Sequence, residues 1–157
     1  MDARGKKRVR NPTVAKKTSR NTNAGGIYHD LPGMLAVVLE TLLCQHSVEG
    51  VRISWMSVKL SNKRKNDLFD YGVCLIEDRH IQINRLMDQS WVPGWYVEFV
   101  IFHEVLHLIH KPFKRRDGVT VCHSVAFKQA ERKYPCFQKA LRWELQTVDR
   151  LSRTRLR

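Results

Sequence analysis

The chain has 157 residues, 43% hydrophobic and 27% charged, with 28 Lys and Arg against 15 Asp and Glu for a net charge of +13. That length supports one domain with a real core, and the composition is that of a soluble globular protein. No run approaches the ~18 apolar residues of a membrane span, and four cysteines without a C-x-x-C pair (Cys44, Cys74, Cys122, Cys136) support neither a disulfide framework nor a cysteine zinc ribbon.

Residues 1–25 hold eight basic residues against Asp2 alone, a net +7 that leaves +6 for the remainder. Residues 1–26 have no apolar period and are expected to form a disordered basic arm ending at Gly25 and Gly26. Such an arm is read either as a nucleic-acid tether or as a solubilising tail, since basic charge gives affinity for any phosphate backbone without specificity. The polar N-terminus lacks the apolar centre of a signal peptide, so a cytoplasmic, nucleoid or nuclear location with reduced thiols is expected.

Asp30 is placed to cap a helix with Pro32 in its first turn, running to about His46 with Leu35, Val38, Leu39, Leu42 and Leu43 as its apolar stripe. Residues 51–60 read as a strand, with Ile53 and Trp55 on one face and Met56, Val58 and Leu60 on the other. A basic turn follows over 61–67. Residues 70–77 and 80–85 alternate as second and third strands, Ile81 and Ile83 facing inward and Asn84 closing the last. Short links suggest antiparallel neighbours, and an outer strand offers free N–H and C=O groups to an extended peptide.

Pro93 opens the next helix and Pro112 ends it. Residues 95–102 alone contain enough β-formers for a strand; the length and an i,i+4 His pair decide for a helix. A basic loop over 111–117 leads to Gly118, Ser124 caps a helix with Ala126, Phe127 and Ala130 on one side, and a last helix over about 135–151 carries Phe137, Leu141, Leu145 and Val148 as its stripe. Residues 152–157 form a basic tail.

The chain is organised around His103-Glu104-Val105-Leu106-His107. Side chains four apart share one helix face, so the two imidazoles can hold one metal ion while Glu104 lies where it can take a proton from a water. Residues 95–110 (WYVEFVIFHEVLHLIH) are apolar on nearly every side, and polar groups buried in such a helix need partners. A catalytic zinc site has three protein ligands and an open position. The metzincin spacing is excluded, because Phe113 stands six residues after His107 where a His would be required. His123, fifteen intervening residues past His107, suits the third ligand, with Glu131, Glu144 and Cys122 as rivals. His110 lies about 5 Å farther along the helix axis than His107, better placed as a donor behind the ligands or a substrate contact.

The ordered set Gly72-Val-Cys-Leu, His80-Ile-Gln-Ile-Asn84, Pro93, His103-Glu-Val-Leu-His107, His123-Ser-Val-Ala-Phe127 and Tyr134-Pro135 resembles the SprT-like metallopeptidase domain. The resemblance covers about residues 51–145 and implies a domain over 27–151. It implies an α+β fold: a small antiparallel sheet of about three strands packed on an H-E-x-x-H zincin helix with flanking helices. It also implies one Zn2+ per chain held by His103, His107 and His123, with Glu104 as general base, and a role for Asn84 in contacting a substrate strand. Many members carry a C-terminal zinc ribbon, which this chain lacks; some relatives cleave proteins crosslinked to DNA. The function expected is therefore zinc-dependent peptide hydrolysis of a protein or peptide substrate, on DNA-associated proteins, with nucleic acid met by the basic arm and loops and no membrane partner. His110 and Tyr134 are candidate transition-state stabilisers or, alternatively, core residues. Two rivals stand: a basic nucleic-acid-binding protein with a structural zinc site closed by Cys122 or His110, and a nuclease or amidase using the same water chemistry.

Overall fold

A computed structural model describes residues 25–62 and 70–156. The basic arm except its last two residues, most of the turn at 61–67, and Arg157 lie outside the described residues. Helix α1 (Leu31–Val37) continues into a π-helical turn (Val38–Leu42), then come strand β1 (Arg52–Trp55), a short helix α2 (Val58–Ser61), and strands β2 (Gly72–Leu75) and β3 (His80–Ile83). Helix α3 (Gly94–Ile109), the two-residue strands β4 (Phe113–Lys114) and β5 (Thr120–Val121), helix α4 (Val125–Glu131) and helix α5 (Phe137–Arg153) complete it. The fold is α+β. No helix among the described residues is long and apolar enough to cross a membrane.

The sheet is mixed rather than antiparallel. Its order is β1-β3-β2, with β2 antiparallel to β3, as expected, and β1 parallel to it. The reason lies in the link between β1 and β2. It is long and contains α2, so β2 passes to the outside and leaves room for β3 to insert between them. The strand expected over 51–60 stops early for a related reason. Met56 N–H donates to Ile83 O at 2.8 Å where β3 ends, and from there the chain turns into α2 instead.

Asn84 explains how β3 is stopped. Its side chain is buried, 1% exposed. The amide nitrogen donates to Asp70 O at 2.8 Å and Ser61 O at 3.3 Å, and Oδ1 accepts from Leu86 N–H at 3.0 Å. One carboxamide thus joins the end of α2, the entry to β2 and the turn after β3. Asn84, expected to contact a substrate strand, is not among the residues bordering the cleft, and its carboxamide atoms are engaged inside the fold.

Helix α3 is the hub. Tyr96, Val97, Phe99, Val100, Ile101, Phe102, Val105 and Leu106 are all buried, against β2 and β3 on one side and α1, α4 and α5 on others. A helix surrounded in this way must be apolar almost all round. Ser124 caps α4 as expected, Oγ accepting from Phe127 N–H at 3.1 Å, whereas Asp30 stands at the start of α1 without making a side-chain cap bond. The loop expected over 111–117 partly pairs, Phe113 with Val121 and Lys114 with Thr120, and turns at Gly118 with φ +82°.

The stripe of α5 is also displaced. Phe137 and Val148 are half-buried as expected, but Leu145 is 79% exposed and Leu141 is exposed too, and Ala140, Trp143, Glu144, Thr147 and Leu151 also lie inward. Trp143 decides this: its ring lies 4.0 Å from Tyr96 and 6.1 Å from Trp91, centroid to centroid, and an indole buries more apolar area than a leucine. The segment after Arg153 is tied down by a reciprocal pair of bonds between Asn62 and the Leu156 backbone, each 2.9 Å.

Replacing Asn84 by Ala leaves three backbone partners unmet, in two buried bonds and one part-buried one, and should cost about 2–3 kcal/mol, measured by urea unfolding; a loss below about 0.5 kcal/mol, the size of an ordinary surface substitution, would contradict the bracing role.

Candidate metal centre

Helix α3 places His103 and His107 one turn apart on the face that looks away from α1. The chain then leaves through the β4–β5 hairpin and returns at His123, two residues past β5, just ahead of the Ser124 cap. The three imidazoles converge. His123 Nε2 lies 3.2 Å from His103 Nε2 and 3.3 Å from His107 Nε2, and the three rings form a donor cluster able to hold a metal ion. The edge of a tetrahedron with Zn–N bonds of 2.0–2.1 Å is about 3.3–3.4 Å, so the spacing fits zinc.

Phe127 sits beneath the cluster. It is fully buried, with ring centroids 5.0, 4.7 and 4.6 Å from those of His103, His107 and His123. It fills the gap between α3 and α4, so the imidazoles have an apolar floor. Behind His103, Nδ1–H donates to Glu131 Oε1 at 2.6 Å. That bond fixes the tautomer and leaves Nε2 as the metal-facing atom. His107 Nδ1 is buried without a hydrogen-bond partner among the described residues.

The electrostatics suit cation binding. Burial, with His103 and His123 nearby, pushes His107 down to about 4, and burial with His103 nearby lowers His123, so both present lone pairs at neutral pH. Burial also acts to lower His103, but its bond to Glu131 and the charges of Glu104 and Glu131 outweigh that and raise it. Three such nitrogens within 4.8 Å of one another, two of the separations being 3.2 and 3.3 Å, repel unless a cation or proton lies among them.

Glu104 is 6% exposed and lies between helix and sheet. Burial raises its carboxyl to about 7, with His103 and a hydrogen bond from the Cys74 backbone acting the other way. Strand β2 presses close. A methyl group at Gly72 would come within 2.9 Å of Glu104 Cγ and Oε1, so only glycine leaves the carboxylate where it is. The Cys74 thiol is pushed up to about 11, first by burial and then by Glu104.

Triad and carboxylate open onto a cleft of about 640 Å³ between β2, α3, the hairpin and α5. Cys122 borders it but is not part of the donor cluster. Of the carboxylates considered as third ligand, Glu131 stands behind His103 and Glu144 lies farther along the cleft, where its Oε2 accepts from Tyr96 O–H at 3.3 Å. His110 and Tyr134 do not border this cleft. His110 ends α3 with its ring 6.3 Å from Phe127. Tyr134 is buried between Phe99 and Phe102, its O–H donating to Trp95 O at 2.6 Å, and is thus a core residue. Sequence reasoning had named Glu131 only as a possible ligand; its position on α4, eight residues past His123, was the available signal for a carboxylate facing back onto the triad.

Two outcomes follow. The protein should bind one metal ion per chain, and Glu131→Gln should weaken binding about 10–100-fold in chelator competition; an unchanged affinity would remove Glu131 from the site. In the metal-free protein, a Glu104 carboxyl raised from 4.5 to about 7 stabilises the fold fully below pH 4.5 and loses that contribution as pH rises through 7. Between pH 5 and 7.5, Glu104→Gln should therefore remove about 2 kcal/mol of declining stability; parallel urea curves for both proteins would contradict it.

Compared with known families, with curated proteins and with solved structures, the chain matches none.

Proposed function

We propose that the chain is a zinc metallopeptidase of SprT-like type, holding one Zn2+ through His103, His107 and His123 and hydrolysing peptide bonds in proteins associated with DNA. One observation carries the reading: a buried carboxylate, Glu104, lies beside a cluster of three nitrogen donors that opens on a cleft. Among the described residues the cluster includes neither Cys122 nor His110, the residues a closed structural site would need.

When bound, zinc supplies Lewis acidity, acidifying a water and polarising a carbonyl. The chain's own groups do the rest. Glu104, near neutrality by burial and kept from swinging away by Gly72 and the Cys74 N–H, takes the proton of the attacking water and passes it to the leaving amine. Glu131 keeps the His103 ring turned toward the cluster.

The sheet supplies a surface for an extended peptide. Because Asn84 N–H donates to Tyr71 O, the ladder register sends the Val73 and Leu75 backbone toward β3 and that of Gly72 and Cys74 outward. Among the described residues strand β2 is a sheet edge bordering the cleft, so a substrate strand would add to it through the Gly72 backbone and the Cys74 carbonyl, the Cys74 N–H being held by Glu104. Association with DNA rests on charge: +13 overall, and Lys111, Lys114, Arg115 and Arg116 exposed around the hairpin beside the cleft.

The test is zinc content together with cleavage of casein and of DNA-bound protein, with bare DNA and RNA assayed alongside. Glu104→Gln should keep one zinc per chain and lose about 10²–10⁴-fold in rate, and Gly72→Ala should lower the rate with zinc retained, since its methyl displaces the same carboxylate. A Glu104→Gln protein that keeps both zinc and full activity would overturn the mechanism. Cleavage of nucleic acid alone would favour the nuclease, and loss of zinc in Cys122→Ala would favour the structural site.

A further inference from the structure

Glu104 and Glu131 have evident roles beside the triad, but another carboxylate bordering the cleft, Glu144, does not. It projects from the inward stripe of α5, half-buried, and burial raises its carboxyl above the ordinary range. In a chain with 28 Lys and Arg, none lies within ion-pair distance of it among the described residues, and no Lys or Arg borders the cleft. Its hydrogen-bond partner is the neutral Tyr96 hydroxyl. The same cleft is lined on its apolar side by residues that include Phe99, Val100 and Leu141. A carboxylate desolvated in this way, with His103 as the positive group acting on it and no Lys or Arg beside it, is costly to hold, and a cationic ligand would lower that cost.

Its distance from the triad is informative. Tyr96 stands seven residues before His103 on the same face of α3, about 10 Å along the axis at 1.5 Å per residue. An extended lysine or arginine side chain carries its charge about 6–7 Å from Cα, and the scissile carbonyl adds about 2–4 Å. A basic residue beside the bond at the triad therefore spans a length comparable to the separation between the triad and the Tyr96 end of the cleft, where the Tyr96 hydroxyl meets Glu144.

We propose that the end of the cleft formed by Glu144 and Tyr96 is a specificity pocket for a lysine or arginine side chain adjoining the bond to be cut. This assignment rests on the metallopeptidase reading for its orientation, but the pocket is testable without turnover.

The full-length zinc-loaded protein is given paired fluorogenic peptides that carry arginine or norleucine at each position flanking the cut. The arginine-to-norleucine ratio of kcat/KM should be about tenfold or more at one position and fall toward unity in Glu144→Gln. Glu144→Asp, with its carboxylate drawn back, serves as the second variant should the amide not fold; its ratio should fall in lysine peptides more than in the longer arginine ones. The same peptides are titrated calorimetrically into zinc-loaded Glu104→Gln protein, with and without Glu144→Gln. If no peptide is cut but arginine peptides bind about tenfold tighter and lose that margin with Glu144→Gln, the metallopeptidase reading fails and the pocket stands. Cleavage without a basic preference, or a preference unchanged in a Glu144→Gln protein that melts like wild type, would overturn the pocket while leaving the peptidase intact. Absence of an arginine margin in both cleavage and binding overturns it too.

Discussion

The His123 nitrogen held 3.2 and 3.3 Å from those of His103 and His107 meets lone pairs that repel its own, and the fold has to hold the three there against that repulsion. The burial of α3 does most of this. With eight apolar residues packed against the sheet and three helices, its backbone has no freedom to turn His103 and His107 outward. Phe127 closes the space beneath all three rings, and Glu131 fixes the tautomer of one. His123 lies on a less buried segment, tied in by the β4–β5 pairing before it and the Ser124 cap after it. A cation turns the mutual repulsion into three bonds, so metal binding and the packing of α4 against α3 are coupled.

The strand order carries the same logic to Glu104. With β3 in the middle, β2 becomes an edge, and its outward backbone faces the cleft rather than another strand. That edge runs close enough to α3 that Gly72 must lack a side chain, while the neighbouring Cys74 N–H meets the carboxylate. Had β2 paired with β1 as in a simple meander, β3 would have been the edge and the N–H that holds Glu104 would have had a different origin. The Asn84 carboxamide, joining α2 and Asp70 to the end of β3, keeps the entry to β2 in place.

Much of the metal centre was legible because its information is local. An i,i+4 His pair on an apolar helix, a helix cap at Ser124, and a His just ahead of it are all patterns within a few residues, and each stands where the spacing put it. The parallel pairing of β1 was not legible, since it depends on where a long link carries β2 and not on any alternation in β1 itself. The α5 stripe was misread for a different reason. Leucine periodicity named Leu141 and Leu145, but a three-tryptophan contact made by Trp91, Trp95 and Trp143 outweighs them and rotates the helix. Tyr134 and Asn84 have the residue types of a catalytic site and the hydrogen bonds of a scaffold; residue type cannot tell these apart, because the partners are backbone carbonyls remote in sequence.

That rotation of α5 has an electrostatic consequence. It turns Glu144 inward and leaves Lys139, Arg142, Arg150 and Arg153 exposed, Arg150 lying 3.8 Å over the Trp91 ring and Lys139 4.3 Å over Trp95. The hairpin does likewise on the other side of the cleft, with its cations outside and His123 inside. A chain of net +13 thus has a cleft bordered by Asp70, Glu104, Glu131 and Glu144 and by no Lys or Arg. The packing of a single indole thus helps to segregate charge within one small domain, cations on the outer face of α5 and carboxylates along the cleft.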